Sequence, residues 1–135
     1  MMRVSDKRRK QDHLEVCLNR DVEARAKNWF GDIYLLHRAL PEMDFDEAET
    51  SITLFGHDLS APIIIEAMTG GIEEAAEIGG ALAEAAERLG IAMGVGSQRI
   101  AITKPRLASS FRLVRRRAPS ALLIANIASW RTEHL

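Results

Sequence analysis

Three short, largely apolar runs, at residues 62–67, 91–93 and 121–125, are separated by two stretches long enough to be helices. This alternation constrains the fold more than any other feature of the chain. Strands that alternate with amphipathic helices pair in parallel through right-handed crossovers. The run Pro62-Ile63-Ile64-Ile65 is continuously apolar and β-branched, the pattern of a strand covered on both faces. The fold class is therefore α/β. Three strands leave a long edge unpaired and cannot cover both faces of a sheet. The chain reads as the start of a larger α/β domain.

The clearest helix is Glu73–Leu89. Ile78, Leu82, Ala85 and Leu89 form an apolar stripe at helical spacing and are expected to face inward. Glu73 and Glu74 complement the dipole of the first turn, and Gly90 ends the helix. Pro105 suits the first turn of a second helix, with Leu107, Phe111 and Val114 inward and Arg112, Arg115 and Arg116 on a solvated outer face. Upstream, Ser5 is placed to cap a helix starting near Asp6, with Leu14, Leu18 and Val22 as its stripe. Residues 29–40 are mixed, and residues 43–49 read as an acidic loop or short turn. Ile52, Leu54 and Leu59 flank Phe55-Gly56-His57-Asp58, which predicts a small hairpin.

Composition narrows the function classes. Of the 135 residues, 47% are hydrophobic, and no apolar run reaches the ~18 residues that would span a bilayer. Residues 1–10 are charged and no apolar stretch follows, so they do not read as a secretory signal. The single cysteine, Cys17, excludes an intramolecular disulfide and a Cys-based zinc site, and fits a half-buried helix residue in a reducing cytoplasm. The net charge of -1 hides an asymmetry: residues 41–90 carry one Lys/Arg against twelve Asp/Glu, and both flanks are basic. Basic ends can converge on an anionic ligand. The arginine run ending at Arg117 lacks interleaved aromatics for base stacking, so nucleic acid is not the expected partner. His37, His57 and His134 have no partner at metal-ligand spacing.

Two glycine-bearing loops follow the first two apolar runs: Met68-Thr69-Gly70-Gly71 and Gly94-Val95-Gly96-Ser97-Gln98-Arg99. The C-terminal ends of parallel strands are where α/β folds place ligand chemistry. Glycines there let a backbone approach a ligand closely. The second loop is not a dinucleotide fingerprint, because Arg99 stands where a third glycine is required and no suitably spaced acid follows. It supplies a hydroxyl, an amide and a guanidinium instead, a set suited to phosphate. The first loop carries no side-chain acid or base, and a tight turn explains it about as well as backbone contact with a flat or anionic cofactor. Arg8, Arg9, Lys10 and His13 form a basic cluster that a solvated terminus also explains.

Taken together, Arg9-Lys10-x-x-His13, Ala67-Met68-Thr69-Gly70-Gly71, Gly94-Val95-Gly96-Ser97-Gln98-Arg99 and Ala125-Asn126 resemble the N-terminal part of the type II, FMN-dependent isopentenyl-diphosphate delta-isomerases. The resemblance runs from about Lys7 to about Ile127. It implies the N-terminal part of a TIM (β/α)8 barrel, incomplete at about three βα units. Residues 1–61 would be a helical segment and hairpin leading into the barrel, and residues 62–135 its first βα units. By the same resemblance, Arg9, Lys10 and His13 contact the substrate diphosphate. Ala67, Met68, Thr69 and Asn126 lie against FMN, Ser97 serves FMN and substrate, and Gln98 and Arg99 serve substrate.

The implied reaction interconverts isopentenyl and dimethylallyl diphosphate, with reduced FMN as the acid–base group, NADPH as its reductant and Mg2+ on the diphosphate. The implied full-length enzyme is cytoplasmic and homo-oligomeric, with no membrane or nucleic-acid partner. The family's catalytic glutamine, magnesium-binding glutamate and FMN-phosphate loops fall beyond residue 135. Residues 128–135 depart from the family pattern, so the chain is expected to be a truncated or frame-shifted form or a fragment, inactive by itself. Two rivals are another FMN-dependent barrel oxidoreductase, such as a 2-hydroxy-acid oxidase relative, and a non-catalytic remnant needing a complementary chain.

Overall fold

A computed structural model describes residues 6–68 and 70–127 of the chain. Its centre is a parallel sheet of β3 (Ile64–Ile65), β4 (Ala92–Val95) and β5 (Leu123–Ala125), ordered β3-β4-β5. Ile64 pairs with Ala92, and Gly94 with Ile124. Helix α2 (Glu73–Leu89) links β3 to β4. The short α3 (Arg99–Thr103), a 3-10 turn at Pro105–Leu107 and α4 (Ala108–Arg117) link β4 to β5. The strand–helix alternation of the sequence thus appears as a parallel sheet with helical crossovers. α3 is a departure from expectation, since Arg99 opens a helix instead of ending a loop.

Helix α2 spans the residues predicted for it. Gly90 follows with φ 63, the left-handed conformation that a glycine adopts at no steric cost, and its N–H donates to the Ala86 carbonyl. The buried face is the predicted one only in part: Leu82 packs against the main core and Ala85 is half-buried. Ala75, Gly79, Gly80, Ala83 and Ala86 are buried, whereas Ile78 is 40% and Leu89 61% exposed. The reason lies in α4. A Cβ on Gly79 would sit 3.4 Å from the Val114 side chain, and one on Gly80 would sit 3.3 Å from that of Leu113. The two helices approach so closely that only small residues fit between them, and the bulkier side chains turn outward. The helix-propensity cost of two glycines, about 1 kcal/mol each, is offset by this packing.

The sheet has two unequal sides. Toward the helices, Met93 and Val95 join Ala83, Ala86, Ile91, Val114 and Ala118 in the main core, flanked by Ile65, Phe111 and Leu123. On the other side, Ala92 and Leu122 pack with Leu59, beside Leu54 and Ile124. Leu54 and Leu59 come from a hairpin, β1 (Ile52–Leu54) and β2 (His57–Leu59), paired antiparallel. Its turn is only Phe55-Gly56, both at positive φ (51 and 77), the pattern of a two-residue type I′ turn. His57 and Asp58, expected in the turn, belong to β2. β3 itself is only partly covered: Ile64 is 45% exposed, and Ile63 just before it 52%. The expectation of a strand covered on both faces therefore fails for β3.

Before the hairpin the chain is stabilised locally. α1 (Asp6–Asn19) has a half-buried Leu14, but Leu18 and Cys17 are exposed and Val22 lies beyond the helix end, so the expected stripe buries little. Asn28 accepts a 2.9 Å bond from the Phe30 N–H at a 3-10 turn, Trp29–Asp32, and Lys27 pairs with Asp32 at 2.7 Å. A second 3-10 turn, Phe45–Glu47, starts where Glu47 accepts from the Asp44 N–H. Ser5 and residues 128–135 lie outside the described residues. Among the described residues no helix is long and apolar enough to cross a membrane.

Candidate functional site

Parallel pairing brings the C-terminal ends of β3, β4 and β5 to one edge of the sheet. Ala67 and Met68 follow β3, Gly96 to Gln98 follow β4, and Asn126 follows β5. The last two segments are joined directly, since the Gln98 N–H donates to the Asn126 carbonyl at 3.1 Å. The first two are pressed together: a Cβ on Gly94 would lie 3.0 Å from both the nitrogen and the Cβ of Ala67. Gly94 therefore makes room for the neighbouring strand. Gly70 likewise makes room for protein, since a Cβ there would lie 2.7 Å from Cε1 of Phe111. Gly71, at φ 78, supplies the turn into α2.

The side chains at this edge are a mixed set. Met68 is 72% exposed, Asn126 is exposed, and Ala67, Ser97, Gln98 and Arg99 are half-buried. One hydroxyl, two amides and a displayed thioether suit a flat heteroaromatic ring whose edge carries hydrogen-bonding atoms and whose face is apolar. The donor set thus fits a flavin. Gln98 precedes α3 with helical φ and ψ and makes no side-chain cap bond. No group of three or more His, Cys, Asp or Glu that could hold a metal occurs among the described residues.

Thr69 and the side chain of Lys10 lie outside the described residues. Arg9 and His13 are exposed on α1. α1 is not among the elements that pack extensively on the sheet or on its helices. The structure therefore unites Ala67, Met68, Ser97, Gln98, Arg99 and Asn126 at one edge, and leaves the α1 cluster on a separate, solvated element.

Sequence reasoning missed two residues that set β5 in place. The Glu87 carboxylate, on α2, accepts from the N–H groups of Ala121 at 2.7 Å and Ser120 at 3.0 Å. Arg115, on α4, donates to the carbonyls of Ala118, Pro119 and Ala121 at 2.9–3.2 Å. Burial pushes the Glu87 carboxyl up, but the Ala121 and Ser120 bonds and the Arg115 charge outweigh it and hold it below the usual carboxylate value. Arg115 thus stays exposed, as predicted, but its guanidinium also fastens the α4–β5 loop. Arg117 also has a partner, Glu84 at 3.2 Å. The one sequence signal was the nearness of Arg115 to Pro119, where a turn leaves carbonyls without ladder partners.

Comparison with known proteins places these residues among relatives. A sequence profile described as FMN-dependent dehydrogenase matches residues 7–106. A protein of Ignicoccus hospitalis named isopentenyl-diphosphate delta-isomerase is 50% identical over 121 residues, which are 90% of this chain and 33% of that protein. Proteins of the same name from Archaeoglobus fulgidus and Methanothermobacter thermautotrophicus are 48% and 44% identical, over 92% and 93% of this chain and 36% of each relative. The chain spans about a third of the length of the curated relatives it matches, and the match is to their N-terminal part.

Proposed function

The chain belongs to the FMN-dependent dehydrogenase family, and from that premise we propose that it forms the N-terminal part of a type II isopentenyl-diphosphate delta-isomerase, which interconverts isopentenyl and dimethylallyl diphosphate. The observation that carries this reading is the junction of the β4 and β5 ends through Gln98 and Asn126, beside Ala67 and Met68. It occurs in a chain whose relatives of that name are 44–50% identical.

The three parallel strands are the first of the eight in a TIM barrel, a fold of about 250 residues whose sites lie at the C-terminal strand ends. Residues 62–135 would form its opening βα units, and residues 1–61 a lead-in segment. Reduced FMN, when bound, supplies the proton exchange at the allylic carbons, while the protein binds and orients. Ala67, Met68, Thr69, Ser97 and Asn126 would hold the FMN. Gln98 and Arg99 hold the substrate beside it. Arg9, Lys10 and His13 close on the diphosphate once α1 is docked against the strand ends. NADPH serves as the flavin's reductant, and Mg2+ neutralises the diphosphate. In the whole enzyme this activity is cytoplasmic and homo-oligomeric.

A chimera tests the proposal. This chain replaces the matching N-terminal third of the Archaeoglobus fulgidus relative, and isomerisation is assayed with FMN, NADPH and Mg2+. We expect turnover by the chimera and none by the 135-residue chain alone. A folded, flavin-loaded chimera without isomerase activity overturns the proposal. The family profile itself favours a second reading, an FMN-dependent oxidoreductase. Oxidation of a 2-hydroxy acid by the same chimera, without isomerisation, would select it.

A further inference from the structure

The segment after β3 is held at two points. At its start, Ala67 lies against the backbone of β4, where a Cβ on Gly94 would be 3.0 Å away. Three residues on, Gly70 lies against the ring edge of Phe111, with Cε1 2.7 Å and Cζ 3.3 Å from the place a Cβ would take. Gly70, Gly71 and Ile72 are all buried beyond the second point. Met68, the described residue between the two, turns its side chain to solvent. Phe111 is itself half-buried against the main core on α4 and therefore cannot retreat freely.

We infer that Phe111 is a positioning residue for the flavin loop: its ring edge and the bare α-carbon of Gly70 form a size-matched pair that fixes the arch at Ala67 and Met68. The flavin part of this inference rests on the function proposed above. The arch carries backbone and side-chain atoms assigned to the cofactor, yet neither Gly70 nor Phe111 belongs to that contact set. A side chain at position 70 has two outcomes, both displacing the arch: the ring moves into the core, or the loop rises from the sheet. Truncating Phe111 removes the floor under the loop and leaves it free to sink or fluctuate. Displacements of about 1 Å at a binding element can cost up to ~100-fold in function.

The test is a double-mutant cycle with two readouts on the full chain: hydrogen exchange of the peptide covering residues 66–72, and FMN titration in the chimera described above. Gly70→Ala and Phe111→Ala should each lower protection of residues 66–72 about tenfold and weaken FMN about tenfold, while exchange in β4 is unchanged. Adding Phe111→Leu to Gly70→Ala makes room for the new methyl and should restore most of both losses. Unaltered protection in Phe111→Ala, or strictly additive losses in the double variant, overturns the inference. Should the parent chimera fail to bind FMN, the functional reading falls instead, and the exchange data still decide whether Phe111 fixes the arch. If protection changes in β4 as well, Phe111 is only a core residue and the inference also fails.

Discussion

Leu36 and Val114 are both aliphatic, yet one is 97% exposed and the other 5%. The contrast extends to their surroundings. From α1 to the hairpin, structure is held by contacts a few residues apart, such as Asn28 with Phe30 and Asp44 with Glu47. From Leu59 to Asn126, it is held by contacts between distant segments, such as Glu87 with Ala121 and Gly80 with Leu113. Local bonds fix a turn without fixing where the turn sits. Long-range packing fixes position, and the elements at the candidate flavin edge have it, whereas α1 is not among the elements that pack extensively on them.

The contrast can be broken hardest at Val114. Val114→Asp buries a carboxylate with no partner, at a cost of several kcal/mol, and should abolish cooperative thermal unfolding followed by circular dichroism. Leu36→Asp should leave the melting curve unchanged, and a large loss there would mean that the upstream region packs on the body after all.

A smaller effect is expected where the helices meet. Gly80→Val forces a branched side chain against Leu113 and should cost about 1–3 kcal/mol in urea unfolding. Ile78→Ala, on the outward side of the same helix, should cost well under 1 kcal/mol. The reverse ranking would reinstate the stripe read from sequence.

The smallest effect is pH-dependent. The Glu87 carboxyl is lowered in the folded chain relative to its ordinary 4.5, so its contribution to stability is complete above that value. It is lost as pH falls through the lowered folded value. Glu87→Gln should therefore be less stable than the parent at neutral pH, with the gap closing in acid as pH falls through the lowered folded value. A gap that widens in acid would contradict the clamp on Ser120 and Ala121.

The boundaries of α2 were legible because its ends carry their own chemistry: two acids in the first turn and a glycine in the left-handed conformation after the last. Its buried face was legible only in part. Hydrophobic periodicity ranks residues by size, whereas the contact with α4 selects for the absence of size, so Gly79 and Gly80 win over Ile78 and Leu89. α3 escaped for a related reason: a five-residue helix with two isoleucines and no side-chain cap has no periodic signature. At the site, the order of the strands alone put Met68, Ser97 and Asn126 at one edge. What Gly70 and Gly94 accommodate could not be read, because their neighbours Phe111 and Ala67 are set by tertiary approach. Arg115 looked like its neighbours in the arginine run, and only the turn it reaches distinguishes it.

The fastening of β5 has a consequence for the order of assembly. Glu87 sits at the end of one crossover helix and Arg115 near the end of the next, and both grip the loop just ahead of the strand. The Arg115 grip is local to α4 and its following turn, whereas the Glu87 grip joins distant segments, so the loop is held from both sides only once α2 lies beside it. A chain emerging from the ribosome N-terminus first delivers these parts in that sequence: the acceptor, then the donor, then the loop they hold. Asn126, the last residue of the candidate edge, reaches its place at the end of that sequence.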